Sequence, residues 1–166
     1  NNFNCPNSTK PDNIATFLKK NNFPLIVKPR FGHTSKDIFL VKNKNELKIV
    51  IKKIKKPIIQ EYLKSKDNEF TCSTTYAKDK IVSTISLKRI LKNGNTSVAF
   101  FNDYKSIDNF INNVTKKLKP FGPTNFQLRL TNKGPSIFEI NPRFSGTTPI
   151  RAQFGINEVE AIINAI

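Results

Sequence analysis

The chain has 166 residues, with 28 basic and 12 acidic side chains and a formal net charge of +16. This length accommodates one ordinary domain or two small lobes. No apolar run is long enough for a membrane span, and no signal peptide is recognisable. The charge favours an anionic partner, either nucleotide phosphates or a nucleic acid. Because the lysines are scattered and no nucleic-acid reader motif is visible, nucleic acid is the less favoured partner.

The cysteine and histidine content argues against a zinc site. Cys5 and Cys72 are far apart, neither belongs to a CxxC pair, and His33 is the single histidine. These residues do not provide a tetrahedral set of ligands. We expect two free thiols in a reducing, cytoplasmic environment. Since the chain contains no Met, we expect it to be a segment of a longer protein.

A short helix is predicted to begin at Pro11 and Asp12 and to end at Asn21 and Asn22. The first candidate site follows it and begins with a buried strand predicted at 25–30. Lys28 lies near the end of this apolar strand, where a charge is costly unless it has a partner such as a phosphate. The loop that follows combines glycine freedom with hydroxyl and cationic side chains, namely Thr34, Ser35 and Lys36. Such a loop can close over phosphates through its backbone N–H groups. A basic surface turn with a solvated lysine is the alternative.

A second helix, predicted at 46–54, leads into a strand at 57–63. Glu61 follows the apolar run of that strand, where its carboxylate or the neighbouring backbone can meet an adenine edge. Glu69 begins the next strand, where its carboxylate can accept hydrogen bonds from ribose hydroxyls. Taken by themselves, both acids are more simply interpreted as surface residues at strand ends.

Alternating residues then predict three antiparallel strands, at 70–76, 81–87 and 98–101. Asn93 and Gly94 form a strong hairpin-turn signal between the last two strands. Lys88 and Arg89 follow the second strand and can reach a triphosphate or an acidic substrate. Charged residues at a strand end explain this pair equally well.

Two further helices are predicted from capping residues. Ser106 is the expected N-cap of a helix that ends before Pro120. Asn157 is the expected N-cap of a final helix. The inner face of that helix is predicted from its apolar residues, Val159, Ile162, Ile163 and Ile166.

The most informative stretch is a hairpin predicted from two alternating strands, at 125–130 and 137–141. Glu139 and Asn141 share one face of the second strand. If the turn is centred on Lys133, Gln127 faces Glu139, and directly opposed residues lie about 5 Å apart at Cβ. The hairpin therefore predicts one cluster of oxygen donors on one sheet face.

Arg143 follows this cluster where the chain leaves the sheet after Pro142. Its guanidinium is permanently charged and presents a planar fork of donors. Oxygen donors beside such a group suit a metal–nucleotide site, since Mg²⁺ takes one or two protein oxygens plus phosphate oxygens. An amphipathic hairpin with a wet polar face is the alternative.

From about residue 23 to residue 155 the chain resembles an ATP-grasp domain, of the kind found in the large subunit of carbamoyl phosphate synthetase and related carboxylate–amine ligases. The most specific motif is Phe138-Glu139-Ile140-Asn141-Pro142-Arg143 with the upstream Gln127. The resemblance implies an α+β fold of two lobes with mostly antiparallel sheets and ATP between them. We expect a small lobe at 1–62 and a large lobe at 63–166, and we expect the whole protein to carry an N-terminal substrate domain absent from this chain.

The resemblance also implies a role for each candidate residue. The implied nucleotide-binding residues are Lys28, Thr34, Ser35, Lys36, Glu61, Tyr62, Leu63 and Glu69. Gln127, Glu139 and Asn141 are expected to hold one or two Mg²⁺ (or Mn²⁺) ions that bridge the phosphates. The implied catalytic cations are Arg143, Lys88 and Arg89, with Arg143 steadying the transferred phosphoryl group.

The activity implied by the resemblance is ATP-dependent carbon–nitrogen bond formation through an acyl phosphate, with a small carboxylate and an amine as substrates. Whether the segment alone turns over stays open. A non-catalytic nucleotide-binding module with the same fold is one alternative. A basic nucleic-acid-binding domain is another, and it rests on the charge alone.

Overall fold

The computed structural model describes residues 3–31, 36–64 and 68–166. The chain divides into two compact units. The first unit is Pro6–Lys64, and the second combines Asn1–Cys5 with Ser65–Ile166. Each unit contains one antiparallel sheet with helices, which confirms the predicted α+β class.

The first unit is built on a four-stranded sheet in the order β1-β4-β2-β3. Its elements are β1 (Ser8–Thr9), a 3₁₀ helix (Pro11–Asn13), α1 (Ile14–Leu18), β2 (Leu25–Pro29), β3 (Phe39–Val41), α2 (Lys44–Lys53) and β4 (Pro57–Glu61). Asn43 caps α2, because its side chain accepts a hydrogen bond from the Glu46 amide at 2.9 Å. The strand β1 was not predicted, since its two residues carry no recognisable alternation.

The second unit is built on a five-stranded sheet in the order β7-β6-β5-β8-β9. Its elements are β5 (Glu69–Ala77), β6 (Lys80–Lys92), β7 (Asn95–Phe101), α3 (Lys105–Leu118), β8 (Gly122–Thr131), β9 (Gly134–Asn141), α4 (Thr148–Gln153) and α5 (Glu158–Ile163). The predicted turn at Asn93 and Gly94 is confirmed, and both residues have positive φ, at 52° and 79°. These angles suit the type I′ turn that follows the twist of paired strands.

One face of this sheet packs against α3. The core here combines Ile107, Ile111 and Val114 of the helix with residues of three strands, namely Phe70, Cys72, Phe126, Leu128 and Ile137. The prediction that Ser106 caps α3 is wrong, because the helix begins at Lys105 after Tyr104. Tyr104 makes no side-chain capping bond, and its ring packs edge-on against Phe70 at 5.0 Å.

The β8–β9 hairpin differs from its predicted form in two ways. The turn is formed by Asn132 and Lys133, because Thr131 pairs with Gly134. A bulge at Phe138 then shifts the register between Gln127 and Leu128. The bulge adds one residue to β9. This extra residue compensates for the turn's shift from its predicted position, so Gln127 still pairs with Glu139 as predicted.

The prediction for the inner face of α5 is wrong. Asn157 does cap the helix, accepting from the Glu160 amide at 3.2 Å, but Val159 and Ile163 are exposed. Glu158 is instead fully buried. The reason is that Glu158 is the counter-ion of Arg151 of α4, which is also fully buried.

Candidate functional site

The register of the five-stranded sheet brings polar side chains to the face opposite α3. Directly paired residues of antiparallel strands share a face. The pairs on this face include Glu69 with Arg129, Thr71 with Gln127, Gln127 with Glu139 and Asn125 with Asn141. We call the face that carries Glu69, Gln127 and Glu139 the polar face.

A buried carboxylate holds two guanidinium groups on the polar face. Glu69 Oε1 accepts from Arg89 Nε at 3.1 Å and Nη2 at 2.7 Å. Glu69 Oε2 accepts from Arg129 Nε at 3.0 Å and Nη2 at 2.8 Å. Each carboxylate oxygen therefore already accepts two charge-assisted hydrogen bonds. A ribose contact, as expected for Glu69, requires one of these bonds to open.

We call Glu69, Arg89 and Arg129 the ion group. Arg89 also connects the ion group to the predicted metal ligands. Its Nη2 donates to Gln127 Oε1 at 3.0 Å. Gln127 is the direct cross-strand partner of Glu139. Glu139 Oε1 in turn accepts from Asn141 Nδ2 at 2.7 Å. The three residues expected to bind metal thus lie side by side, and a guanidinium group contacts one of them.

The oxygen donors of the three predicted metal ligands are of the type that binds a hard divalent cation. Gln127, Glu139 and Asn141 offer one carboxylate and two carboxamide oxygens, which are the ligand types that Mg²⁺ and Ca²⁺ prefer. Among the described residues, no three His, Cys, Asp or Glu side chains lie close enough together to hold a metal ion. A cation on the polar face would therefore depend on the carboxamide oxygens.

The two remaining catalytic candidates lie apart from this group. Lys88 pairs with Phe70, a residue of the α3 core, so Lys88 lies on the opposite face of the sheet from Arg89. Arg143 is exposed just after β9. Its Nη1 donates to the Phe144 carbonyl at 2.9 Å, and its amide donates to the Asn141 carbonyl at 2.8 Å.

In the first unit, Lys28 lies on β2 opposite Ile58 of β4. Its neighbours in sequence include the buried Val27, so Lys28 is on the face away from the core. Lys36 is exposed. Thr34 and Ser35 lie outside the described residues.

The predicted adenine-binding residues follow the end of β4. Glu61 Oε2 accepts from the Asn7 amide at 3.2 Å, and the Glu61 amide donates to the Asn7 carbonyl at 2.8 Å. Tyr62 and Leu63 are half-buried residues of the segment after the strand.

Several residues of the polar face were not recognised from the sequence. Arg129 was visible in the alternation of β8, on the same face as Gln127, but it received no role. Arg151 of α4 contacts this face and gave no signal, because α4 was not predicted. Its partner Glu158 was overlooked, because the apolar residues of α5 were taken to define the inner face of that helix. Burial lowers the pKa of Arg151, and the neighbouring Glu158 carboxylate opposes this effect.

The family of the chain follows from a sequence comparison. A family model of the ATP-grasp domain matches residues 1–147. The chain therefore belongs to the ATP-grasp family. A search of curated protein sequences finds no match.

Solved structures share the fold at low sequence identity. The biotin carboxylase domain of Hydrogenobacter thermophilus 2-oxoglutarate carboxylase, in complex with MgADP, ADP and bicarbonate, has a TM-score of 0.79 and 12% identity, with 98% of this chain and 42% of that chain covered. N5-carboxyaminoimidazole synthetase from Staphylococcus aureus, complexed with ADP, has a TM-score of 0.77 and 16% identity, with 99% and 47% covered.

D-alanine–D-alanine ligase from Helicobacter pylori has a TM-score of 0.70 and 16% identity, with 99% of this chain and 54% of that chain covered. The chain thus spans about half the length of these proteins. Within the described part of the chain, no helix combines the length and the apolar character needed to cross a membrane.

Proposed function

We propose that this chain is the ATP-binding domain of an ATP-dependent ligase, which activates a small carboxylate as an acyl phosphate for attack by an amine. The observation that carries the proposal is the row of Arg89, Gln127, Glu139 and Asn141 on the polar face. Cation and oxygen donors in contact suit a site that handles a metal-bound triphosphate. The names of the similar solved structures, which include a biotin carboxylase domain complexed with MgADP and a D-alanine–D-alanine ligase, support it.

The proposal assigns nucleotide contacts to each unit separately. In the first unit, Lys28 and Lys36 neutralise phosphate charge, and the backbone and side chains of 61–63 contact the adenine. Thr34 and Ser35 belong to the same proposed phosphate loop. The proposed small and large lobes keep the boundaries 1–62 and 63–166.

In the second unit, Gln127, Glu139 and Asn141 are the proposed ligands of Mg²⁺ (or Mn²⁺). When bound, the ion would neutralise phosphate charge and orient the oxygens for in-line transfer. Arg143 follows the last ligand and is exposed, and its Nη1 donates to the adjacent Phe144 carbonyl. Its guanidinium can therefore turn toward a phosphoryl or carboxylate oxygen by giving up one local hydrogen bond. Arg89 supplies a second, buried guanidinium whose position is set by Glu69.

Nucleotide titration with and without metal tests this function. The affinity of the full-length protein for a non-hydrolysable ATP analogue is measured by calorimetry in the presence and absence of Mg²⁺. We expect Glu139→Gln to lose about tenfold in the metal-dependent part of the affinity, equivalent to about 1.4 kcal/mol. Glu160→Gln removes the same charge from an exposed position of α5 and is expected to behave as wild type. Equal metal dependence in wild type and Glu139→Gln contradicts the proposal.

A nucleotide-binding module without turnover is the second candidate. It is favoured by the proposed phosphate loop at 30–37, which contains a single glycine and so has little of the backbone freedom that lets a loop close over phosphates. ADP release by the full-length protein, screened against amino acids and small carboxylates, separates the two functions. Turnover with any acceptor supports the ligase, and binding without release supports the module.

A further inference from the structure

A buried ion pair between α4 and α5 contacts the polar face of the sheet next to the proposed site. Arg151 Nη1 donates to Glu158 Oε1 at 2.9 Å, and their side chains are 0% and 1% exposed. Removing two charges from water is expensive, and replacing such a pair by apolar residues of similar volume often leaves stability unchanged or improved. The pair is therefore poorly explained by stability alone.

The cationic end of the pair is bonded to two strands of the sheet. Arg151 Nη2 donates to Asn125 Oδ1 at 2.6 Å and to Thr71 Oγ1 at 3.0 Å. Thr71 Oγ1 itself donates to Asn125 Oδ1 at 2.9 Å. Asn125 is the direct cross-strand partner of Asn141. Arg151 thus attaches α4 to the part of the sheet that carries a proposed metal ligand.

The anionic end of the pair is bonded to the start of α4. Glu158 Oε2 accepts from Thr148 Oγ1. Thr148 Oγ1 accepts from the Ser145 amide at 3.2 Å, and the Thr148 amide donates to the Ser145 carbonyl at 3.0 Å. Thr147 contacts Ser145 through their hydroxyls at 2.8 Å. Both ends of segment 143–148 are therefore fixed, one by β9 and the other by Glu158.

We propose that the Arg151–Glu158 pair positions segment 143–148, and with it Arg143, beside the oxygen donors of β9. The inference deepens the proposed ligase function and rests on it for the role of Arg143. Arg151 and Glu158 are positioning residues, because they act through Asn125, Thr148 and the segment between them. The geometric part of the inference, the ordering of 143–148, is independent of any substrate.

The test separates positioning from stability with a double variant. Arg151→Met/Glu158→Leu removes both charges and replaces them with apolar side chains, so its urea unfolding midpoint is expected to match wild type. Amide hydrogen exchange of the peptide covering 143–148 and the affinity for an ATP analogue with Mn²⁺ are measured in the full-length protein. We expect exchange to accelerate about tenfold and the affinity to fall about tenfold.

A second variant keeps the test valid if the double variant does not fold. Arg151→Lys retains the charge beside Glu158 but has one nitrogen, which cannot bond Glu158, Asn125 and Thr71 in the same geometry. We expect the same acceleration of exchange in 143–148. Unchanged exchange and affinity in a folded variant overturn the proposal and leave the pair a purely structural feature.

Glu139→Gln, measured in parallel, distinguishes a failure of the ligase function from a failure of this inference. We expect this variant to lose metal-dependent affinity while exchange in 143–148 stays as in wild type. If Glu139→Gln keeps its affinity, the ligase proposal fails. The positioning of 143–148 still stands in that case if the Arg151 variants accelerate exchange.

Discussion

Gln127 lies directly opposite Glu139 across the β8–β9 pair, and their pairing depends on the bulge at Phe138. Without the added residue, the turn at Asn132 and Lys133 would place Gln127 opposite Phe138. A register shift of one residue moves a side chain to the other face of a sheet. The bulge is therefore what puts a carboxamide and a carboxylate together on the polar face, as bulges beside functional sites commonly do.

Adding a second carboxylate at this position should strengthen cation binding. We expect Gln127→Glu to bind Mn²⁺ about tenfold more tightly, because affinity for hard cations rises with ligand charge. The metal-free protein should become less stable, since like charges are then directly opposed. Mn²⁺ titration followed by electron paramagnetic resonance gives the affinity.

Asn132→Asp is the matched control, because it adds the same charge at the exposed turn of the same hairpin. We expect it to leave the Mn²⁺ affinity unchanged. Equal affinities in Gln127→Glu and Asn132→Asp would show that the three oxygen donors do not act together on a cation.

The ion group on the polar face predicts unequal losses of stability. Glu69→Gln leaves the guanidinium groups of Arg89 and Arg129 without their shared carboxylate, and should cost about 3–5 kcal/mol in the free energy of unfolding. Arg89→Met should cost less, because Arg129 still pairs with Glu69 at 2.8 Å. Urea denaturation of each variant measures the difference, and equal losses would contradict the shared role of Glu69.

The two thiols should differ sharply in reactivity. Burial raises the pKa of Cys72 to about 12, whereas Cys5 is exposed. Because the thiolate is the reactive species, an aromatic disulfide reagent at pH 8 should modify Cys5 and leave Cys72 intact until denaturant is added. Peptide mapping by mass spectrometry identifies the modified residue. Rapid labelling of Cys72 in the native protein would contradict its place in the α3 core.

Asp108 predicts a dependence of stability on pH. Desolvation raises the pKa of this carboxyl group, although the Ser86 hydroxyl, 2.5 Å away, opposes the shift by hydrogen bonding. The folded state therefore binds the proton more tightly than the unfolded state, and stability falls as the pH rises from the unfolded pKa through the folded pKa.

Asp108→Asn should remove this penalty. We expect the variant to be more stable than wild type at pH 7, with the advantage disappearing below the unfolded pKa, where both carry a neutral side chain. Urea denaturation at pH 7 and at pH 3 measures it. Asp12→Asn is the control, because that side chain is exposed and does not contribute to the shift at Asp108. An advantage of Asp108→Asn that is independent of pH would contradict the assigned cause.

Most strands and turns were predictable from local patterns. Alternation of apolar residues indicated β5 to β9, and the Asn93–Gly94 pair indicated its turn, because a tight turn with positive φ selects these two residues. The shared face of Glu139 and Asn141 was predictable for the same reason, since residues two apart on a strand share a face. The pairing of Gln127 with Glu139 was predicted from a misplaced turn and holds because the bulge at Phe138 compensates for it. The small strand β1 and the helix α4 were missed, because short elements carry too little periodicity.

The inner face of α5 shows why local patterns fail for charged residues. Its apolar side chains predicted an inner face that included Val159 and Ile163, both of which are exposed. The buried residue is Glu158, and its burial depends on Arg151, seven positions earlier. The hydrophobic periodicity of α5 could not predict the burial of Glu158, because that burial depends on charge pairing with Arg151 and not on apolar packing.

The sequence by itself determined which residues share a face within each regular strand, because alternation is a property of neighbouring residues along one strand. Only the tertiary structure decided what those side chains bind. Glu69 meets Arg89 twenty residues away and Arg129 sixty residues away, through pairings that depend on the order and register of separate strands. The sequence predicted that the Glu69 carboxylate binds ribose, whereas in the structure it is paired with two guanidinium groups. A buried carboxylate needs such partners, because an unpaired charge is costly in the protein interior.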